Sequence, residues 1–228
     1  RRSRGGATLD LPLSADQRHL WIMTQLGQSQ AQAYNVPTAL ELHGSLEPEL
    51  LERALQHVVA RHETLRATVS ADGTRQRIAG STRVPLPIIE LAHLSERERQ
   101  AELEQIFQQL AEHVFDFTAG PAIAVRLVRL APGRHVLCLL VHHLMVDGWS
   151  VAVILRERAE SVSALAAGRA PALAPPLQFR DYLRHVETLR DSGELARQQA
   201  VWRDKFRGSL PVLDLPTDHV RPALKSCH

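Results

Sequence analysis

The sequence predicts an α/β (α+β) fold in which a mixed β-sheet is flanked by helices. Short β-branched segments that alternate with polar residues indicate strands, and longer segments with apolar residues at helical spacing indicate helices. Two hairpin signals favour antiparallel neighbours, and such neighbours make the sheet mixed. With 228 residues, of which 44% are hydrophobic and 23% charged, the chain can bury a sizeable core.

Composition argues against several classes of function. The formal net charge is +2 with Lys and Arg spread along the chain, so we expect no nucleic-acid partner. The apolar runs are too short to span a bilayer, and no signal peptide is recognisable, so we expect no membrane partner. The two cysteines, Cys138 and Cys227, argue against a disulfide framework. A cytoplasmic protein is therefore expected.

The first quarter of the chain should contain an arm, two helices and a strand. Residues 1–12 open with a basic stretch and are expected to form a flexible arm. A helix should follow over residues 13–26, capped by Ser14 and ended by a glycine and a polar run. Alternation indicates a strand over residues 36–43, and a proline near a first turn starts a helix that should run to about Glu63.

The middle of the chain alternates strands with one long helix. Residues 65–70 and 75–78 should be strands joined by a hairpin turn, and residues 85–91 an edge strand. Ser95 and Glu98 have capping-box spacing at the start of a charged amphipathic helix that should run to about residue 114. Two more strands are then expected, over residues 122–130 and 136–141.

The last quarter of the chain differs from the rest in composition. Residues 168–176 are rich in Pro and Ala and indicate a linker or a long crossover. Amphipathic helices are expected over residues 178–189 and 194–207, and residues 210–218 should be extended. The chain therefore divides into a main subdomain over residues 13–167 and a linker with helices over residues 168–228.

Two histidines and an aspartate lie where the strand at residues 136–141 breaks into a turn. The segment at residues 142–148 reads HHLMVDG, and a helix should start with residues 149–155. A strand end fixes a proton-transfer group while the turn exposes it, and imidazole titrates near neutral pH. Alone, the segment is also compatible with a structural histidine, a metal site, or the His-x4-Asp arrangement of glycerolipid acyltransferases formed by His142 and Asp147. A metal is not expected, because no cluster at zinc spacing stands nearby.

Several motifs in one order carry a resemblance to a known family. Residues 142–150 match HHxxxDGWS, the third core motif of the condensation domains of nonribosomal peptide synthetases. Residues 61–66 resemble the second motif, RHExLR, and residues 14–23 are similar to the first. Residues 178–182 resemble the fourth, and residues 202–222 look like the segment that joins the two halves of such a domain. The departures, which include Asp16 in the first motif, concern subtype.

The resemblance implies an incomplete domain. Condensation domains pair two chloramphenicol-acetyltransferase-like halves, and this chain resembles the N-terminal half followed by the linker toward a C-terminal subdomain. The implied reaction joins a donor acyl thioester to the amine of an acceptor aminoacyl thioester, forming an amide. The implied partners are upstream and downstream peptidyl carrier domains, the C-terminal condensation subdomain and an adenylation domain. No cofactor is expected on this domain, because the phosphopantetheine arms of the carriers deliver the substrates.

The resemblance also assigns the motif residues. His143 is expected to be catalytic, as a general base or as the group that positions the amine. His142 precedes it on the strand and should point to the other face, so we expect it to be structural. Asp147 should be a structural anion paired with an arginine, first Arg61, with Arg66 or Arg18 as alternatives.

Two further residues and two rival functions complete these expectations. Gly148 should let the backbone turn sharply and could aim its N–H at the reacting carbonyl, and Trp149 is expected to pack. One rival function is an inactive subdomain or carrier-protein docking piece, since the family active site lies between two halves. The other is a stand-alone acyltransferase that uses a coenzyme A thioester.

Overall fold

The computed structural model describes residues 8–213, 215–216 and 218–219. By its contacts the chain divides into two compact units, residues 1–183 and residues 184–228. The strands are β1 Leu9–Pro12, β2 Asn35–His43, β3 Ala67–Val69, β4 Arg75–Ile78, β5 Ile88–Glu90, β6 Ile123–Ala131 and β7 Arg134–His142. The helices are α1 Ala15–Gln25, α2 Gln28–Gln32, α3 Pro48–Arg61, α4 Glu96–Ala111, α5 Gly148–Ala166, α6 Phe179–Asp191 and α7 Glu194–Lys205.

The larger sheet is mixed, as predicted. Its strand order is β2-β7-β6-β5, with β7 antiparallel to both β2 and β6, while β5 runs parallel to β6 at the edge. β7 is therefore central, and eight of its nine residues are buried, which matches its nearly continuous apolar sequence. The strand that carries the histidine motif is thus the most constrained strand of the sheet.

A second, three-stranded sheet with the order β1-β4-β3 was not expected. Its outer strand β1 pairs with β4 from Leu9, opposite Ile78, to Pro12, opposite Arg75. The prediction of a flexible arm over residues 1–12 is therefore wrong for residues 9–12. The short alternation of Leu9 and Leu11 with polar neighbours was too brief to identify a strand. Residues 1–7 of the predicted arm lie outside the described residues.

Most helix predictions are confirmed, with small changes in bounds. Ser14 caps α1 and Ser95 caps α4, each in a complete capping box. Helix α2 was missed, because Gly27 and the polar residues after it indicated only the end of α1. The strand predicted from residue 65 begins two residues later, because Glu63–Arg66 form a 3-10 turn.

Gly73 is required by both its backbone and its surroundings. It lies in the hairpin turn between β3 and β4 with φ +64°, a left-handed value that favours glycine. A Cβ atom there would lie 2.2 Å from the ring of Trp21, so the indole of α1 packs directly on the turn. This contact fixes α1 against the smaller sheet.

Helices cover both faces of the larger sheet. α3 and α5 pack on one face, where α3 buries Leu51, Leu55, Val58 and Val59 as predicted. α4 covers the other face with Ile106 and Leu110, and the thiol of Cys138 is buried there. No helix in the described part of the chain is long and apolar enough to cross a membrane. Residues 220–228, which include Cys227, lie outside the described residues, as do residues 214 and 217 of the segment predicted to be extended.

Arg158 is a buried cation on the inner side of α5. Its relative exposure is 7%, and its guanidinium meets no hydrogen-bond acceptor or acid in the described part of the chain. It lines a small space together with aliphatic residues such as Leu51 and Val125. Burial away from water lowers the pKa of Arg158, because it disfavours the charged form.

Replacing this cation should stabilise the fold. Arg158→Met keeps most of the side-chain volume and removes an unpaired buried charge, so we expect the free energy of unfolding to rise by about 1–3 kcal/mol. Urea unfolding followed by circular dichroism measures this change. Arg156→Met is the matched control, because Arg156 is 67% exposed on the same helix and its removal should change stability by less than about 0.5 kcal/mol. A loss of stability in Arg158→Met would show that the buried guanidinium is not a destabilising group.

Candidate active site

The turn after β7 holds its backbone through hydrogen bonds on both sides. The His142 N–H donates to the Ala122 carbonyl (3.2 Å), and the His143 N–H donates to the Tyr34 carbonyl (2.9 Å). The N–H groups of Met145 and Val146 both donate to the His142 carbonyl, at 3.0 and 3.2 Å. The peptide groups around His143 are therefore fixed by the end of the sheet.

His142 lies inside the protein and uses both ring nitrogens. Nε2 lies 3.1 Å from the Ala31 carbonyl, and Nδ1 accepts the Leu144 N–H at 3.1 Å. A carbonyl only accepts, so Nε2 carries the proton and the ring is neutral. Burial lowers the pKa of His142 to about 4, although the Ala31 carbonyl acts in the opposite direction. The ring of Phe117 packs edge-on at 4.7 Å between centroids.

His143 differs from His142 in both the exposure and the hydrogen bonding of its imidazole. Its side chain is exposed, and in the described part of the chain its imidazole makes no hydrogen bond. Only its backbone is held, through the bond to Tyr34. The turn thus presents an imidazole with both ring nitrogens available on a fixed backbone, an arrangement suited to proton transfer or to positioning a nucleophile.

Asp147 caps the helix that follows the turn. Its Oδ1 accepts the Ser150 N–H at 2.8 Å and the Ser150 hydroxyl at 2.6 Å. These two hydrogen bonds lower the pKa of the Asp147 carboxyl, and the neighbouring His143 acts in the same direction. Asp147 therefore starts α5, and it does so as a local cap at the protein surface.

The structure corrects the reasons given for Gly148 and Trp149. A Cβ atom on Gly148 would meet nothing within 4 Å, and its φ is not in the left-handed region, so the backbone there does not require glycine. Trp149 was expected to pack, but it is 81% exposed. Both residues occupy the first turn of α5, whose first positions face outward.

The predicted pairing of Asp147 with Arg61 is wrong. Arg61, the last residue of α3, instead forms a bidentate ion pair with Glu157. Its Nε donates to Oε2 at 2.9 Å, and its Nη2 donates to Oε1 at 3.3 Å. Glu157 lies about 15 Å along α5 from Asp147 at about 1.5 Å per residue, beyond the reach of an arginine engaged there. Arg66 is not the partner either, because it donates to the Val59 and Ala79 carbonyls. Nor does Arg18 form an ion pair with Asp147 among the described residues.

The buried carboxylate of Glu157 accepts hydrogen bonds from both Arg61 and His62. His62 Nε2 lies 2.8 Å from Glu157 Oε2, beside the Arg61 contact. Burial acts to raise the pKa of Glu157, but the hydrogen bonds from Arg61 and His62 outweigh it, so the pKa lies below its ordinary value. Arg61 also donates to the Ala174 carbonyl at 2.6 Å, which ties the crossover segment to the same cluster.

The fourth motif binds the second through a side-chain amide. Gln178 Oε1 accepts the Glu63 N–H at 3.1 Å, and Gln178 Nε2 donates to the Arg61 carbonyl at 2.8 Å. Arg180 adds an ion pair to Glu63 at 3.3 Å. The two motifs thus form one assembly that fixes the end of α3, the middle of α5 and the start of α6.

Gln17 of the first motif reaches the turn itself. Its Nε2 donates to the Leu144 carbonyl at 3.2 Å, and its Oε1 accepts from Gln76 Nε2 at 3.0 Å. Gln17 is 5% exposed and Gln76 is fully buried. The first motif therefore contacts the turn, and the second motif, itself held by the fourth, contacts the helix after the turn.

A groove of about 500 Å³ runs beside the first turns of α5. One wall comes from α5 and the other from the crossover segment, where Leu177 is 91% exposed. The lining is mixed: Val146, Trp149 and Val153 are among its apolar members, and His62 and Glu157 are among its polar members. It is large enough for an extended apolar group.

The geometry gives no indication of a metal centre. Among the described residues, no three His, Cys, Asp or Glu side chains are grouped so that they could hold an ion. His142 has no free ring nitrogen, because one donates to Ala31 and the other accepts from Leu144. A metal would have to break these bonds before His142 could bind it.

Sequence reasoning missed the residues that hold the motifs in place. Ala31 and Tyr34 act through backbone carbonyls, which no side-chain pattern reveals. Glu157 and Gln76 are buried polar residues in apolar surroundings. Such residues need partners when buried, so a polar residue on the buried face of a predicted helix or strand was the signal that could have identified them.

Comparison with known proteins identifies relatives along nearly the whole chain. The profile of the Condensation domain family matches residues 8–228. Chondramide synthase from Chondromyces crocatus is 38% identical over 219 residues, which is 95% of this chain and 6% of that protein. Phosphinothricin tripeptide synthetase from Streptomyces viridochromogenes is 33% identical over 217 residues, which is 94% of this chain and 20% of that protein.

Solved structures share the fold of this chain over about half of their own length. The starter condensation domain of rhizomide synthetase superposes with a TM-score of 0.79 and 28% identity, over 89% of this chain and 49% of that one. A mutant of that domain has been solved in complex with C8-CoA. The X-domain of teicoplanin biosynthesis, solved in complex with OxyB, gives a TM-score of 0.77 and 32% identity, over 98% of this chain and 48% of that one. The chain therefore spans about half the length of these solved structures.

The buried histidine should make stability depend on pH. An unfolded histidine takes up a proton near pH ~6.5, whereas folded His142 resists protonation until its pKa of about 4. The unfolded state therefore binds more protons between these values, and His142 should cost the fold about 3 kcal/mol as pH falls from ~6.5 to ~4.

The measurement compares unfolding curves across this pH range. His142→Gln should be less stable than the original chain near neutral pH, and the difference should shrink as pH falls. Leu110→Ala is the control, because it removes a buried aliphatic side chain from another cluster and should give a difference independent of pH. A difference for His142→Gln that stays constant with pH would contradict a neutral buried imidazole.

The ion pair that the structure defines should be detectable by coupling. Arg61→Met leaves the buried Glu157 carboxylate with His62 as its remaining partner, and Glu157→Met leaves the Arg61 guanidinium without an acid, so each should cost about 3 kcal/mol, while the double variant should lose much less than the sum. Arg61→Met and Asp147→Asn should instead add within about 0.5 kcal/mol. Urea unfolding of the six proteins measures both cycles. Coupling of Arg61 to Asp147 and not to Glu157 would refute this arrangement.

Proposed function

Because this chain belongs to the condensation domain family, we propose that it is the N-terminal half of a domain that forms amide bonds between carrier-bound substrates. The donor is an acyl thioester and the acceptor is an aminoacyl thioester. The observation that carries this proposal is the exposed imidazole of His143 on a turn held by the sheet and by Gln17 of the first family motif. Its partners would be the carrier domains that deliver both substrates on phosphopantetheine arms, the C-terminal half of the domain and an adenylation domain.

The proposed reaction follows from the chemistry of a thioester. The acceptor amine attacks the donor carbonyl carbon, a C–N bond forms, and the C–S bond breaks with the sulfur leaving as a thiolate. The amine loses one proton, which His143 would accept and pass to the departing sulfur. Since a thioester is already activated, a large share of the acceleration would come from holding the amine in line.

The surroundings support different roles for the two histidines. A base needs a free lone pair, and His143 offers its ring nitrogens to the outside. His142 offers none, because both nitrogens are bonded to the backbone. We therefore assign proton transfer or positioning to His143 and a structural role to His142, Asp147, Arg61 and Arg66. Gly148 and Trp149 belong to the same motif at the start of α5.

The source of the donor is a separate question. The rhizomide relative solved with C8-CoA suggests that a coenzyme A thioester could replace the carrier-bound donor. The reaction at His143 would be unchanged, since both donors present a thioester carbonyl. In either case the groove beside α5, with Val146, Trp149 and Val153 in its lining, would be available to an acyl chain.

A second candidate function is a docking domain without chemistry. The X-domain relative was solved in complex with OxyB, so a protein of this fold and 32% identity forms a complex with another protein. A docking role would need the fold but not the free imidazole of His143. The two functions therefore make opposite predictions for a substitution at that residue.

The experiment uses a complete condensation domain whose N-terminal half is this chain, together with donor and acceptor carriers loaded with their substrates. Mass spectrometry of the acceptor phosphopantetheine arm measures the amount of amide product. His143→Ala should reduce the rate of product formation by at least about 100-fold, the upper range of general acid–base catalysis being about 10⁴-fold. His93→Ala is the control, because it removes an exposed imidazole away from the turn. Replacing the donor carrier with an acyl-CoA separates the two donors. No product from the original protein would favour the docking function, and an equal, measurable rate in His143→Ala and the original protein would overturn the role of His143.

A further inference from the structure

We propose that Gln17 and Gln76 are positioning residues that fix Leu144, the residue following His143. The inference rests on the proposed function, because it concerns the aim of the His143 imidazole. Gln17 lies in the first turn of α1 and Gln76 in the central strand of the smaller sheet. The pair therefore connects elements far from the turn to the atoms next to the reacting side chain.

The contacts form a continuous chain of amides. Gln76 Nε2 donates to the Pro12 carbonyl at 3.1 Å and to Gln17 Oε1 at 3.0 Å. Gln17 Oε1 also accepts the Ser14 N–H at 3.1 Å, and Gln17 Nε2 donates to the Leu144 carbonyl at 3.2 Å. Water has little access to this chain, since Gln17 is 5% exposed and Gln76 is 0% exposed.

Leu144 is held through both of its backbone polar groups, which belong to the two peptide bonds on either side of its Cα atom. Its N–H donates to His142 Nδ1 at 3.1 Å, and its carbonyl accepts from Gln17. The His142 ring and the Gln17 amide therefore set the orientation of the residue that follows His143. The N–H side is the peptide bond that follows His143, and the carbonyl that Gln17 holds lies one residue further on. A rotation of the Leu144 backbone would therefore be passed to the His143–Leu144 peptide, turn the Cα–Cβ bond of His143 and move its ring nitrogens.

Only a side chain with both a donor and an acceptor satisfies the position of Gln17. Its oxygen accepts from two N–H groups while its nitrogen donates to a carbonyl. A carboxylate would accept twice but would face the Leu144 carbonyl with another acceptor. An aliphatic side chain of similar size would leave the Leu144 carbonyl without a partner inside the protein and would remove one of the two acceptors of the Gln76 amide.

The expected signature is a loss of turnover with binding retained. Displacing a catalytic group by about 1 Å can cost about 100-fold in rate. Gln17→Met and Gln76→Met should each lower kcat about 10- to 100-fold and change KM for the acceptor carrier less than about threefold. Gln25→Met is the matched control, because Gln25 is an exposed glutamine at the other end of α1. It should leave both constants unchanged.

Two further measurements separate positioning from general damage to the fold. If Gln17 acts through His143, Gln17→Met should cause no additional loss in a His143→Ala background, whereas independent effects would multiply. In the chain itself, the imidazole carbon–proton resonances of His143 should shift in Gln17→Met and Gln76→Met and stay in place in Gln25→Met. Circular dichroism of each variant identifies any that fail to fold, and the NMR comparison then uses Gln17→Glu.

The outcomes are distinguishable from those of the proposed function. Shifted His143 resonances with a reduced kcat support the proposal. Unmoved His143 resonances, or a full additional loss in the His143→Ala background, overturn it. If the original protein forms no amide at all, the proposed function fails, and the resonances of His143 alone decide whether the two glutamines position it.

Discussion

The neutral imidazole of His142 is the interaction on which the arrangement of the site depends. One ring nitrogen bonds to the Ala31 carbonyl and the other to the Leu144 N–H, so this side chain joins α2 to the turn after β7. Protonation would force a donor against the Leu144 N–H, and burial, which lowers the pKa of this ring, makes the charged form costly as well. Holding one histidine neutral inside the protein is what leaves the next residue, His143, at the surface with a fixed backbone.

A second constraint acts at a distance from the turn. The ion pair of Arg61 with Glu157 fixes the middle of α5 against the end of α3, and His62 completes it. The desolvation of these charges is offset by a bidentate contact and by a further bond from Arg61 to the Ala174 carbonyl. Because α5 starts at the cap formed by Asp147, the position of this helix and the position of the turn are linked. The second motif therefore supports the third by holding α5 at its middle, whereas the cap at Asp147 is local.

The sequence predicted the parts of this arrangement that depend on local pattern. The mixed sheet, the buried strand before the motif, the capped helices and the difference between His142 and His143 all follow from periodicity and from side-chain chemistry. Contacts between distant residues were not predictable in the same way. Arg61 was assigned to Asp147 because both carry a charge in a motif, but the helix length between Asp147 and Glu157 decides the pairing. The carbonyls of Ala31 and Tyr34 carry no signal in the sequence, since every residue has one.

The most direct test of the central claim is the protonation state of His142 itself. Nitrogen-15 chemical shifts of the imidazole ring distinguish a protonated from an unprotonated ring nitrogen. We expect that at pH ~6, near the ordinary pKa of a histidine, His142 remains neutral with the proton on Nε2 and none on Nδ1. A proton on Nδ1, or an imidazolium at that pH, would contradict the claim that a neutral buried ring sets the turn that presents His143.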